Sequence, residues 1–204
     1  MWMVTLLVSA LSRAAAEEPV SEGFWLAWAA MALLFLVLLY TLGIAIWLAL
    51  GREVPVIDLW KGSLIPALTI VGLAVALYLT YVETTNTQAV CGPVGNCNEV
   101  QASPFAKLFG VLPVGLLGAV GYVAILVAWG VGRYARGSWA QAARFAVLGM
   151  ALFGVLFSIY LTYLELYVIR AVCAWCVTSA VIMAALLALS VGPAVAALTG
   201  TDQG

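Results

Sequence analysis

Two stretches of the chain are nearly identical, YLTYVETTNTQAVC at residues 78–91 and YLTYLELYVIRAVC at residues 160–173. Eight of fourteen positions match, including the closing Ala-Val-Cys, and the copies are offset by 82 residues. A belt of interfacial aromatic residues at the water boundary accounts for the tyrosines taken singly. It does not explain why both copies also end in Ala-Val-Cys at the same distance from their tyrosines. We therefore interpret the match as the duplication of a helical hairpin.

The composition is that of a membrane protein. Of 204 residues, 66% are hydrophobic and 8% are charged, whereas a soluble domain carries roughly a quarter charged residues. The apolar residues form long blocks without the alternation of a half-buried strand. The formal net charge is −1, and no basic stretch indicates a nucleic-acid partner.

A helix needs about 20 mostly apolar residues to cross the hydrocarbon core. Five stretches meet this requirement and predict an all-α integral membrane protein; they are roughly residues 24–50, 63–83, 112–131, 145–168 and 174–195. The predicted organisation is an N-terminal segment 1–62 with an additional transmembrane helix at about 24–50, a core 63–195 with an outward loop 84–111, and a cytoplasmic tail 196–204.

Basic residues indicate the orientation in the membrane. Segments 51–62 and 132–144 hold five of the eight lysines and arginines, so the positive-inside rule predicts that both are cytoplasmic. The two repeat spans then cross in the same direction, because one span lies between them. Cys91 and Cys173 are expected on the same outward face, which is the oxidising side where disulfides persist.

The first residues leave open whether or not the chain begins with a cleaved signal peptide. Ala14-Ala15-Ala16 follows a short apolar run and resembles the cleavage site of a signal peptide. The usual basic region before the apolar run is missing, however, and Arg13 stands beside the site.

Histidine is absent, and the four cysteines form two close pairs. Cys91 and Cys97 enclose turn-forming residues in CGPVGNC, which predicts either a loop whose disulfide opens and closes or a static disulfide. Cys173 and Cys176 form a C-x-x-C at the start of the last span, a spacing typical of redox dithiols. A zinc site is the alternative, but C-x5-C spacing and a membrane helix do not favour it.

The C-x-x-C pair is expected to differ in depth. The free N–H groups of a helix N-terminus stabilise a thiolate, and Arg170 could add to this. Cys176 lies about 4.5 Å further along the helix axis than Cys173. Residues 98–113 suggest an interfacial helix with Asn98 as its cap and Phe105 on its apolar face, or else a packed loop.

The loop pair, Ser103 six residues after Cys97, and the terminal C-x-x-C together resemble the vitamin K epoxide reductase family over about residues 63–195. The resemblance implies a four-helix transmembrane bundle around a quinone of the ubiquinone or menaquinone type, without a metal. It implies catalytic cysteines at all four positions, with Ser103, Phe105 and Cys176 binding the quinone.

The resemblance also implies a partner and a location. Because the chain ends nine residues after Val195, we expect its thiol partner to be a separate thioredoxin-fold, DsbA-like protein. In bacteria such proteins are similar in role to DsbB-type quinone reductases of the cytoplasmic (inner) membrane, with the active site facing the periplasm. Electrons would pass from Cys91 and Cys97 to Cys173 and Cys176 and then to quinone.

Alternatives remain open at this point. Ala180 stands where animal relatives carry a tyrosine that contacts the quinone, which favours a plain quinone acceptor over vitamin K epoxide. A thiol-driven quinone or epoxide reductase and a non-enzymatic scaffold with structural disulfides are the other interpretations. Glu83 and Glu165 are expected either to move protons or, more simply, to mark the membrane interface.

Overall fold

The computed structural model describes residues 23–52, 62–91, 95–108 and 110–199. The candidate signal peptide, most of the predicted cytoplasmic linker and the end of the predicted tail lie outside the described residues.

Five helices of the described chain are long and apolar enough to span a membrane. They are α1 (Phe24–Ala49), α2 (Leu64–Thr85), α4 (Val114–Tyr134), α5 (Ser138–Tyr163), which continues as a π-helical turn Leu164–Ile169, and α6 (Ala174–Thr199); the short α3 (Cys97–Ala102) lies between α2 and α4. The prediction of an all-α integral membrane protein is confirmed.

The four helices α2, α4, α5 and α6 pack into a bundle, each against its neighbours, and α6 closes it against α2. Tyr122, Ile125, Val155 and Leu186 are among the fully buried residues at its centre. Helix α1 lies outside this bundle and packs on α6 and α5. The predicted four-helix bundle with one additional N-terminal helix is confirmed.

Two helix boundaries differ from those expected. Helix α5 begins at Ser138 rather than near residue 145, because SWAQAAR is too polar for an apolar span but contains good helix formers. Helix α6 runs to Thr199 and contains Pro193. The predicted cytoplasmic loop 132–144 therefore shortens to a turn at residues 135–137.

Of the two interpretations of residues 98–113, an interfacial helix or a packed loop, one continuous helix is wrong. Helix α3 ends at Ala102, a 3-10 turn spans Pro104–Ala106, and β1 (Lys107–Leu108) pairs antiparallel with β2 (Leu112–Pro113). Proline cannot donate a backbone hydrogen bond and disfavours helix in the residue before it. Gly110 turns the hairpin at φ 74°. Helix α3, the 3-10 turn and the hairpin pack over one end of the bundle, close to the π-helical turn and to the start of α4.

Candidate redox site

All four cysteines lie at this end of the bundle. Cys97 and Cys173 belong to one buried cluster, and Cys91 and Cys176 pack against it. The cluster is built from the end of α2, the loop after it, α3 and the start of α6. The repeat therefore delivers both cysteine pairs to a single place, as the duplicated hairpin predicts.

The first pair forms a disulfide between Cys91 and Cys97. Cys97 is fully buried at the start of α3, whereas Cys91 is half-buried. The loop between them touches the chain just before Cys173. The Asn96 N–H donates to the Val172 carbonyl over 2.9 Å, and a Cβ on Gly95 would lie 2.6 Å from the same oxygen. This close approach places the two pairs side by side.

The segment that leads to Cys91 is held by side chains. The Ala89 N–H donates to Asn98 Oδ1 over 2.7 Å, and the Val90 N–H donates to the Tyr78 hydroxyl over 2.8 Å. Trp175, inside the C-x-x-C, donates its indole N–H to the Val90 carbonyl over 3.0 Å. The sequence suggests Asn98 as the cap of this helix, but α3 begins at Cys97 with Asn96 in the cap position, and the Asn98 carboxamide binds the loop instead.

Cys173 and Cys176 are free thiols. A hydrogen bond from Cys176 lowers the pKa of the Cys173 thiol; burial opposes this, and backbone N–H groups of the α6 N-terminus and the Gln101 side chain add to the lowering. The helix N-terminus thus contributes as the sequence suggests. Arg170, expected to add to this, is exposed and is not among these partners.

Two carboxylates of the repeat also reach the site. Glu83 and Glu165 are 7% and 3% exposed, so neither simply marks the water boundary. Glu83 Oε2 accepts a hydrogen bond from the Gly115 N–H over 2.9 Å. Glu165 Oε2 accepts one from the Cys173 N–H over 3.5 Å, and Glu165 lines a small cavity together with Cys176.

A cavity of about 360 Å³ opens beside these groups within the bundle. Its wall is mostly apolar, and Cys176 and Glu83 lie on it. One helical turn beyond Cys176, the hydroxyl groups of Tyr122 and Ser179 hydrogen-bond over 2.9 Å, and both residues line the same cavity. Pockets of this size with few polar groups are typical of sites for small organic ligands.

A second cavity of about 30 Å³ adjoins the first, since Glu83 and Cys176 line both. Ser103 and Phe105 line only the small cavity of these two, together with Gln101 and Glu165 among other residues. Ser103 donates its hydroxyl hydrogen bond to the Val100 carbonyl over 2.7 Å.

The model of the vitamin K epoxide reductase family matches residues 63–191. The chain belongs to the vitamin K epoxide reductase family. Membership makes it a membrane oxidoreductase linked to thiol–disulfide and quinone chemistry. In the described part of the chain, no group of three or more His, Cys, Asp or Glu side chains is arranged to hold a metal ion.

The family resemblance pointed to the cysteines and to Ser103, but it did not indicate the pair Tyr122 and Ser179. These residues lie on different helices and 57 positions apart, so no local pattern joins them. The available signal was a tyrosine in the middle of α4, amid small and apolar residues. Gln101 was missed for the same reason, because its contact with Cys173 depends on how α3 packs against α6.

Proposed function

We propose that this member of the vitamin K epoxide reductase family is a quinone-dependent thiol–disulfide oxidoreductase that reoxidises a separate, extracytoplasmic thioredoxin-fold protein. One observation carries the proposal: Cys176 contacts Cys173 on one side and lines the apolar cavity on the other. It therefore connects a cluster of four cysteines to a space fit for an apolar ring.

The first step uses the difference in burial between Cys91 and Cys97. A partner thiolate attacks the half-buried Cys91, since Cys97, the first residue of α3, is fully buried. A second partner thiol then displaces Cys91 from the mixed disulfide. The partner gains a disulfide and loses two electrons and two protons, and Cys91 and Cys97 become a dithiol.

In the second step, the dithiol of Cys91 and Cys97 reduces the disulfide of Cys173 and Cys176. Cys97 attacks Cys173 of an oxidised Cys173–Cys176 pair and releases Cys176. Cys91 then attacks Cys97 and releases Cys173, whose lowered pKa makes it a good leaving group. The result is a Cys91–Cys97 disulfide with two free thiols at Cys173 and Cys176, which is the arrangement observed.

The large cavity fits the quinone that the family implies. Its volume, its apolar wall and the Cys176 sulfur on that wall suit a ring that reacts with a thiol. A bound quinone accepts two electrons and two protons. We retain Ser103 and Phe105 as proposed quinone contacts because they line the small cavity that shares Cys176 with the large one. A ubiquinone or menaquinone type is proposed because the large cavity is lined by Ala180 at the position where animal relatives carry a tyrosine.

We place the protein in a bacterial inner membrane with the cysteines facing the periplasm. Arg52, Arg133 and Arg136 lie near helix ends opposite the cysteines, and Lys107 and Arg170 lie near them. This imbalance supports a cytoplasmic location for the end without cysteines. An oxidising compartment at the other end suits a protein that forms disulfides.

The test is anaerobic mixing of the purified protein with a reduced DsbA-like protein and a soluble quinone. Each cysteine is replaced in turn by alanine. We expect C173A and C176A to abolish quinone reduction from any thiol donor. C91A and C97A should abolish it from the protein donor but leave reduction by a small dithiol, which reaches Cys173 and Cys176 directly. Unchanged turnover in C173A or C176A contradicts the proposal.

A further inference from the structure

We propose that Glu165 and Glu83 form a proton route from the Cys176 thiol to the wall of the large cavity. The inference rests on the proposed function, since it concerns the protons that accompany quinone reduction. It assigns a role to the one acidic residue that both copies of the repeat share.

Glu165 lies beside the two thiols. Its carboxylate accepts a hydrogen bond from the Cys173 backbone N–H over 3.5 Å, and Glu165 lines the small cavity together with Cys176. Glu165 is 3% exposed, so its carboxyl group is largely shielded from bulk water. We therefore assign to Glu165 the uptake of the Cys176 proton when that thiol is oxidised.

Glu83 occupies the next position toward the quinone space. Its carboxylate is fixed by the Gly115 N–H over 2.9 Å, and Lys107 lies close enough to interact with it electrostatically. Glu83 lines both the small cavity and the large one, whereas Glu165 lines only the small one of the two. A proton that passes from Glu165 to Glu83 therefore reaches the wall of the large cavity.

The small cavity connects the two carboxylates. Its volume of about 30 Å³ is more than the roughly 10–15 Å³ that a cavity needs to hold one water molecule. Gln101 Oε1 is buried and accepts no hydrogen bond from the described residues, and Gln101 lines this cavity together with both glutamates. A single water there has the polar partners that a buried water requires, and it can bridge the two carboxyl groups.

The chemistry balances. Oxidation of the Cys173–Cys176 dithiol breaks two S–H bonds, forms one S–S bond and releases two electrons and two protons. Reduction of a quinone to its hydroquinone consumes the same number of each. The protons pass one at a time through Glu165 and then Glu83, so both carboxyl groups return to their starting state.

The decisive variants are E165Q and E83Q, with E99Q as the matched control. Glu99 lies at the same end of the bundle but is exposed and accepts a hydrogen bond from Asn96. We expect quinone reduction to fall by about 10²-fold or more in E165Q and E83Q, in the range of lost acid–base catalysis. A single turnover of partner oxidation at Cys91–Cys97 without quinone should keep its rate in all three variants.

A second readout requires no quinone. Infrared difference spectra are recorded as a chemical oxidant converts Cys173–Cys176 to its disulfide. We expect a carboxyl band that shifts in the wild type and in E99Q and is absent in E165Q, because Glu165 loses its thiol partner. If E165Q does not fold, E83Q is tested alone. We expect E83Q to reduce quinone slowly and to retain the Glu165 band.

The outcomes separate this inference from the proposed function. If C176A abolishes turnover while E165Q and E83Q match E99Q, the cysteine relay stands and the proton route is wrong. An unshifted carboxyl region in the wild type also overturns the route. If C176A itself retains turnover, the proposed function fails first.

Discussion

Cys173 and Cys176 are two residues of one motif, yet their sulfurs have different surroundings. Interactions with Cys176 and with Gln101 lower the pKa of the Cys173 thiol, although burial opposes this. The sequence indicates the helix N-terminus but not these side-chain partners. The C-x-x-C spacing predicts a dithiol, whereas the difference between the surroundings of its two sulfurs depends on contacts with residues of α3 and α5.

The hydrogen bond from residue 176 can be tested with one thiol at a time. In C176S the hydroxyl still donates to Cys173, and in C176A nothing does. We expect the Cys173 titration midpoint, followed by ultraviolet thiolate absorbance, to lie at lower pH in C176S than in C176A. The Cys91–Cys97 disulfide does not titrate, so Cys173 is the only thiol observed. Equal midpoints would show that Cys176 does not stabilise the thiolate.

The hydroxyl pair Tyr122 and Ser179 is the second prediction at this scale. Tyr122 is fully buried and hydrogen-bonds Ser179 over 2.9 Å. A double-mutant cycle with Y122F and S179A should give a coupling of roughly 0.5–1.5 kcal/mol in the free energy of unfolding in detergent, the range of hydrogen bonds between membrane helices. Additive effects of the two substitutions would argue against this bond.

At the level of the helices, the glutamate of the repeat has a structural role that the sequence did not reveal. Each shared glutamate binds a backbone N–H at the start of the next transmembrane helix: Glu83 binds Gly115 in the first turn of α4, and Glu165 binds Cys173 just before α6. Such carboxylates stabilise a helix N-terminus. Sequence alone predicts two glutamates at one face of the membrane but cannot show which helix each one caps.

The spans were predictable because hydrocarbon thickness sets their length. The segment over the site was not, because its apolar spacing favoured a helix while Pro104 and Gly110 opposed it. Pro104 and Gly110 determined the structure of this segment, and the apolar spacing of Phe105, Leu108 and Leu112 did not. Both patterns were present in the sequence, but which of them prevails depends on how the segment packs against α4 and α5.

The loop contact at Gly95 gives a prediction with an internal control. Gly95 and Gly110 both have positive φ, at 106° and 74°, but only a Cβ on Gly95 meets another part of the protein, the Val172 carbonyl. Both alanine variants carry the same kind of backbone strain. We expect G95A, relative to G110A, to slow disulfide exchange between the two cysteine pairs by about 10-fold or more, since small displacements of reacting groups are costly.

Rapid quenching with a thiol-alkylating reagent, followed by mass spectrometry, measures that exchange. Similar exchange rates in G95A and G110A would mean that the contact with Val172 does not position the two pairs.

For the whole molecule, the family and the architecture follow from four cysteines and five apolar stretches, but the cavity does not. Its walls include Gly115, Gly118, Gly121, Gly149 and Gly154. Glycines on facing helices of a membrane bundle more often permit close packing. An added Cβ on Gly121 or Gly149 would meet no atom within 4 Å, and only the structure shows that α4 and α5 leave space at these two positions.

The proposed orientation predicts opposite labelling at the two ends of the bundle. In intact cells, a membrane-impermeant maleimide should label Cys91 in C97S. It should not label R136C, in a background with the native cysteines replaced, until the membrane is permeabilised. Arg136 is exposed in the turn between α4 and α5. The reverse pattern would place the cysteines in the cytoplasm and remove the oxidising compartment that the proposal needs.

The two copies of the repeat each place their cysteine eight residues after the glutamate, but they hold it differently. After α2 ends at Thr85, no helix covers the segment to Cys91, whereas the segment to Cys173 stays wound as a π-helical turn through Ile169. Under the proposed function, a docking protein draws Cys91 outward by breaking a few side-chain hydrogen bonds, while moving Cys173 requires a helical turn to unwind. If the repeat is a duplicated hairpin, one copy carries its cysteine on a non-helical segment and the other carries it directly after a helical turn.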